Sequence, residues 1–290
     1  MKLYKSRSGI VLERSGVAVV VKEEWDALIN RSDLQVSLQQ LHGSGKPLSP
    51  AAVEAMLHEQ LLAPIGSQEL WAAGVTYLRS RDARMEESRK GGAADFYQKV
   101  YEAERPELFF KALPHRIAAH REEVYIRKDS TWNVPEPELT LCINAQGKVI
   151  GYTIGNDMSS RSIEGENPLY LPQAKTYERS ASLGPCLWIP ERPPVPETNI
   201  TMTIKRNQEE VFSGSITLSR MKRGFTELAG WLYRECLFPS GCYLMTGTGI
   251  VPPDDFTLSV GDEIGIGIDG IGRLENRVAV SYTHLTLPTK

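Results

Sequence analysis

The chain has no apolar run approaching the ~20 residues that a membrane-crossing helix needs. The longest early one, residues 16–21, has the length of a strand. The start, Met1-Lys2-Leu3-Tyr4-Lys5-Ser6-Arg7, has no secretory apolar stretch. Cysteine is scarce, with Cys142, Cys186, Cys236 and Cys242 the only four in 290 residues and none in C-x-x-C spacing. That pattern excludes a zinc ribbon and a disulfide framework, and the apolar surroundings suit buried, reduced thiols. Net charge is scarce as well: 33 basic against 36 acidic residues leave a formal −3. Nothing electrostatic therefore favours nucleic acid or an anionic membrane as partner. A soluble cytoplasmic protein is expected, without internal repeats or low-complexity tracts.

What is present is an ordinary globular composition, 41% hydrophobic and 24% charged, enough for a sizeable core. Residues 1–65 read as a small N-terminal α+β domain, with strands at 10–12 and 17–21 and a helix at 23–29. A second helix starts at Ser49 as cap with Pro50 in the first helical position, and carries Val53, Met56, Leu57 and Leu61 on one stripe. Residues 43–47 read as loop without phosphate-binding spacing. From Gln68 short strands punctuated by glycine and proline predict a β-rich domain over 66–280, with strands at 71–77, 123–127, 200–204, 211–216, 243–246 and 263–268. The charged run 79–90 suits a mobile lid and a solvated helix equally. Residues 221–236 predict a core-packing helix, with Phe225, Leu228, Ala229, Leu232 and Cys236 on its apolar stripe. Residues 281–290 resemble a translated sequencing adapter and read as a non-native tail.

Between Val134 and Pro185 three acids gather. Glu136 and Glu138 are two apart, so in extended backbone both carboxylates face the same way. Apolar runs at 139–143 and 149–154, joined by Asn144-Ala145-Gln146-Gly147, predict a hairpin that folds Asp157 back beside the glutamates. An isolated E-x-E most often decorates a solvated strand. Three converging carboxylates, however, repel one another without a cation, and a hard, oxygen-preferring ion such as Mg²⁺ or Ca²⁺ suits them.

The order Glu136-Pro137-Glu138-Leu139, Asn156-Asp157-Met158-Ser159-Ser160-Arg161, Lys175 and Gly184-Pro185 resembles the fumarylacetoacetate hydrolase family over residues 64–280. Within that family, the runs 105–111 and 166–173 are similar to those of its sugar-acid dehydratases. The resemblance implies a mixed β-roll or barrel-like catalytic domain, a homodimer or homotetramer, and a divalent metal, Mg²⁺ with Mn²⁺ or Ca²⁺ as alternatives, on Glu136, Glu138 and Asp157. It also implies a pocket lined by Thr246-Gly247-Thr248, a segment that on its own reads as an ordinary turn. Asp262, after Gly261, reads as structural.

One departure bears on the chemistry. Hydrolases of the family carry a segment like G-x-N-Y-x-x-H-x-x-E, whose histidine activates water. Here it reads Gly74-Val75-Thr76-Tyr77-Leu78-Arg79-Ser80-Arg81-Asp82-Ala83, without the histidine or the glutamate. Carbon–carbon hydrolysis would lack its base. His115 and His120 fall outside the motif and read as structural or exposed. A dehydratase of a 2-oxo-3-deoxy sugar acid is the favoured expectation, with a family hydrolase and a non-catalytic oxoacid binder as alternatives. Lys175 is the candidate base, an amine whose pKa is lowered beside the metal, and Glu107 the candidate acid in the apolar setting of Leu108, Phe109 and Phe110. The two roles are interchangeable at this stage. From residue type alone, Lys175 and Glu107 would be surface charges. Lys111 and Arg161 are candidates to hold the substrate carboxylate.

Overall fold

The computed structural model describes residues 1–87 and 94–281, so the tail beyond Ser281 and the end of the 79–90 segment lie outside the described residues. Three strands open the chain, β1 (Lys2–Ser6), β2 (Gly9–Arg14) and β3 (Val17–Val21), followed by helices α1 (Trp25–Ile29), α2 (Leu34–Ser44) and α3 (Pro50–Glu59). Then come β4 (Glu69–Gly74), α4 (Leu78–Glu87), α5 (Ala94–Glu102), β5 (Glu107–Ala112), β6 (Ile117–Ala118) and β7 (Glu123–Ile126). The centre holds β8 (Asn133–Ile143), β9 (Val149–Ser160), α6 (Arg161–Glu166), α7 (Leu171–Lys175) and β10 (Ala181–Trp188). The remainder is β11 (Asn199–Arg206), β12 (Glu209–Thr217), α8 (Phe225–Leu232), β13 (Cys242–Met245), β14 (Glu263–Ile268) and β15 (Gly272–Val280).

The strands form a ten-stranded sheet, ordered β3-β2-β1-β10-β9-β8-β13-β4-β5 with β6 on β10, and a five-stranded sheet, ordered β12-β11-β14-β15-β7. The chain is β-rich with few helices, as expected, but both sheets stay open where a barrel would close. The first 65 residues do not carry a sheet of their own. β1 pairs antiparallel with β10, so the N-terminal strands extend the catalytic sheet.

Two apolar clusters cover the large sheet. Between the sheets, Leu139, Leu141 and Ile154 pack with Met202, Ile266 and Leu274. On the opposite face, Leu3, Leu12, Leu28 and Leu38 pack with Leu70 and Tyr243. β8 is buried along its whole length because both of its faces are covered.

The predicted hairpin is β8–β9, in antiparallel register with Glu136 opposite Asp157. Its turn is held by Asn144, whose Oδ1 accepts from the N–H groups of Gln146 and Lys148 at 3.1 and 2.9 Å. Pro135 and Pro137 lie inside β8, where a missing N–H normally disrupts pairing. Thr246 N–H donates to Leu139 O at 3.0 Å, which places the odd-numbered main-chain groups of β8 on the β13 side. β13 pairs with β8 only from Thr140 to Ile143. The two prolines therefore point where no ladder strand needs a donor.

Several helical expectations shift. Ser49 caps α3, its Oγ accepting from Ala52 N–H at 3.2 Å. α2, a polar helix with weak periodicity, was not expected and takes in Gly43 and Ser44. The 221–236 helix shrinks to α8: Met221 bridges to Tyr77, the Glu227 carboxylate accepts from Gly224 N–H at 3.1 Å to start the helix, and Glu235 sits at φ 60° beyond its end. Cys236 is consequently exposed, whereas Cys142, Cys186 and Cys242 are buried as free thiols. No described helix is long and apolar enough to cross a membrane.

Leu141 is 0% exposed at the centre of β8. Leu141→Ala is expected to cost about 2–5 kcal/mol in urea unfolding. Val36→Ala, at a residue 55% exposed on α2, is expected to stay within about 0.5 kcal/mol.

Candidate active site

Two-residue periodicity turns Glu136 and Glu138 to one face of β8, and the hairpin register sets Asp157 of β9 across from Glu136. Carboxylate oxygens of the three lie within 4.8 Å of one another, all buried. α7 ends at Lys175 and aims its amine across the cluster. Lys175 Nζ lies 2.5 Å from Glu136 Oε2 and 3.3 Å from Asp157 Oδ2, and donates to Ser159 Oγ at 2.6 Å. Arg161, first residue of α6, donates from Nη2 to Glu136 Oε1 at 2.7 Å. Lys111 of β5 lies 2.6 Å from Asp157 Oδ1 and donates to Met158 O and Lys175 O.

Glu138 has no such cation. Its Oε2 accepts from Gly247 N–H at 2.5 Å. Burial and the charges of Asp157 and Glu136 push its carboxyl well above the usual carboxylate range. Burial alone would push Glu136 up too, but Lys175, Arg161 and Arg84 outweigh it and hold it well below that range. A buried cluster whose third acid is left frustrated, with all ligand atoms hard oxygens, fits a divalent cation of the magnesium type.

Lys175 is expected as a base beside a bound metal, and its metal-free surroundings act the other way. Burial opposes its charge, yet Asp157, Glu136 and Glu164 overcome it, so without a metal on the carboxylates the ammonium is held above the ordinary lysine range. Burial pulls down Lys111 instead. Lys111 is 0% exposed and braces Asp157 and the backbone; like Glu107, it lies behind the residues that line the cavity.

The small cavity is lined by Glu136, Glu138, Asp157, Lys175 and Arg161, with Gly247 and Thr248 at one wall. Thr246 is not in that wall: its hydroxyl donates to Leu139 O at 2.8 Å. Gly247 sits at φ 94°, and a Cβ there would meet Thr76 Oγ1 at 2.0 Å, so only glycine brings its N–H onto Glu138. Glu107 lies on β5 opposite Gly74 of β4. Its Oε2 is buried without a hydrogen-bond partner, and a side chain at Gly74 would collide with it at 1.9 Å. Burial pushes the Glu107 carboxyl up, against the pull of Arg84.

Where hydrolases of the family have histidine, Ser80 spends its hydroxyl on α4, donating to Tyr77 O at 2.8 Å and accepting from Tyr77 N–H at 3.2 Å. His115 is exposed, and His120 Nδ1 accepts from Glu275 N–H at 3.1 Å; neither lines the cavity. Asp262 receives both arms of Arg206 at 2.8 Å, a structural use.

Two site residues were not anticipated. Arg84 of α4 lines the cavity and is paired with Glu164 of α6. The spacing of Tyr77, Ser80 and Arg84 marks one helical face and could have singled out this arginine from the charged run. The 79–90 segment is therefore neither wholly solvated nor a bare lid, since α4 turns a buried cation inward.

The fumarylacetoacetate (FAA) hydrolase C-terminal family matches residues 75–279. The probable 2-keto-3-deoxyxylonate dehydratase of Haloferax volcanii is 46% identical over 226 residues, 78% of this chain and 77% of that protein. The 2-dehydro-3-deoxy-D-arabinonate dehydratase of Saccharolobus solfataricus is 41% identical over 213 residues, 73% of this chain and 72% of that protein. A solved 2-keto-3-deoxy-D-arabinonate dehydratase, complexed with magnesium and 2,5-dioxopentanoate, superposes with a TM-score of 0.81 at 30% identity, covering 97% of this chain and 99% of that one.

Because Glu138 holds a proton above the usual carboxylate range, metal binding must displace it. Magnesium affinity is expected to rise with pH above the ordinary carboxylate range, by up to about tenfold per unit, with proton release seen by calorimetry in buffers of different ionisation enthalpy. Glu138→Gln is expected to weaken binding and flatten that dependence.

Proposed function

The chain belongs to the fumarylacetoacetate hydrolase family, and on that premise we infer that it is a hydro-lyase converting 2-dehydro-3-deoxy-D-arabinonate (a D-pentonate) to 2,5-dioxopentanoate. The observation that carries this reading is the pairing of the buried Glu136–Glu138–Asp157 cluster and Lys175 with the loss of a water-activating base at Ser80. Similarity to the magnesium- and product-bound dehydratase supports the substrate and the metal.

Glu136, Glu138 and Asp157 would hold Mg²⁺, which when bound draws electron density from the oxygens of a 2-oxo acid. With the carboxylates' charge taken up there, Lys175 loses the groups that keep it protonated and can accept the C3 proton. Ser159 Oγ, 2.6 Å from Lys175 Nζ, orients the amine. Glu107, whose carboxyl burial pushes up, donates its proton to the C4 hydroxyl as the C4–O bond breaks and water leaves. The enone so formed still carries the C5 hydroxyl. Removal of a C5 proton, and return of protons to C3 and C4 as the C5 hydroxyl loses its own, gives the aldehyde. Arg161 braces Glu136 at the cavity wall and is the remaining candidate for the substrate carboxylate.

The hydrolase alternative lacks the family's histidine, since Ser80 stands at its position and donates its hydroxyl to Tyr77 O. Three free, buried thiols are consistent with a reducing, cytoplasmic setting and a place in pentose oxidation. Assembly as a homodimer or homotetramer is carried over from family resemblance; light scattering on the eluted protein tests it.

Purified protein with magnesium and 2-dehydro-3-deoxy-D-arabinonate is expected to yield 2,5-dioxopentanoate, and chelation to abolish it. Pyruvate release from an acylpyruvate instead would select the hydrolase. Lys175→Met is expected to lower kcat by about 10²–10⁴-fold while magnesium affinity holds or tightens, because the ammonium no longer competes for the carboxylates. A binder would show no turnover to lose.

A further inference from the structure

Three cations line the cavity, and they are not equivalent. Arg161 and Lys175 are paired to Glu136, whereas Arg84 is paired to Glu164. Arg84 and Glu164 are 4% and 1% exposed. The Arg84 guanidinium also lies 5.6 Å from the centre of the Tyr97 ring. Arg84 Nη1 and Glu164 Oε1 are each other's ion-pair partners, which leaves Glu164 Oε2 buried without a hydrogen bond among the described residues. Burying polar atoms in that state is costly unless something completes them.

We propose that the Arg84–Glu164 pair is the anchor for the substrate's chain-end hydroxyl and sets specificity for it. This rests on the dehydratase reading above. The pair is formally neutral, so a second carboxylate would add an uncompensated buried charge, while a hydroxyl is neutral and both accepts and donates. With C1 and C2 of the substrate at the three carboxylates and the C4 hydroxyl departing, the C5 hydroxyl is the polar group left for Arg84, the lining cation not paired to Glu136. Its carbon becomes the aldehyde, so its placement bears on the product as well as on binding. Val75 and Phe109, which also line the cavity, offer apolar contact alone. A site built to hydrogen-bond a hydroxyl discriminates strongly against the analogue lacking it.

The test compares kcat/KM for water loss from 2-dehydro-3-deoxy-D-arabinonate and from its 5-deoxy counterpart, 4-hydroxy-2-oxopentanoate. The wild-type protein is expected to prefer the hydroxylated acid by on the order of 10²-fold or more. Arg84→Met is expected to collapse that preference to within about tenfold, chiefly through loss on the hydroxylated acid. Because an unpaired Glu164 could unfold the protein, Arg84→Met combined with Glu164→Leu removes both charges together and is expected to show the same collapse. Preference retained in the variants, or an equal loss on both acids, overturns the proposal and leaves the dehydratase reading standing. Failure of the wild-type protein on both acids overturns the two together.

Discussion

Charge compensation inside a closed pocket governs this structure. Five carboxylates (Glu107, Glu136, Glu138, Asp157 and Glu164) and four cations (Arg84, Lys111, Arg161 and Lys175) meet in and around one small pocket. An unpaired ion there would cost several kcal/mol. The pairings are unequal. Glu136 receives two cations and Asp157 two lysines, while Glu138 has a backbone N–H alone. The residual imbalance falls where an added divalent ion would remove it, so the same asymmetry that burdens the empty pocket prepares it for its cofactor.

The scaffold delivers these groups with short-range rules. Strand periodicity places two acids, hairpin register a third, and the end of α7 supplies Lys175. Helices α4 and α6 bring in Arg84 and Glu164, remote in sequence and close in space. Against its hydrolytic relatives, the chain has converted the position of the water-activating histidine into a helix-start contact by Ser80. The fold is thus retained, and in the proposed dehydratase the proton chemistry falls to Lys175 and Glu107.

Much of this was legible in residue order. The E-x-E spacing and the Asn144–Gly147 turn sufficed to bring Asp157 to Glu136, because period-two alternation leaves one register that buries the apolar faces. The direction of the Lys175 shift was not legible, since it depends on carboxylates up to 39 positions away in the chain. Lys111 and Thr246 have the right chemistry for binding, yet Lys111 spends its amine on Asp157 and the backbone and Thr246 its hydroxyl on Leu139 O, a choice that only packing reveals. Arg84 was hidden among neighbouring arginines until the face of α4 was known. α2 was missed because its stripe is short and interrupted by glutamines.

The junction of β1 with β10 has a consequence for how the molecule meets its neighbours. β10 flanks the ligand-bearing β9, and without the N-terminal strands its outer hydrogen-bonding groups beside Leu187 and Trp188 would be open to any passing chain. By adding β1, β2 and β3, the protein moves that border three strands outward, to a short strand partly covered by Pro47 and Leu48. Unwanted intermolecular zipping there would leave the reactive centre undisturbed, so the opening segment insulates the chemistry while contributing no group to it.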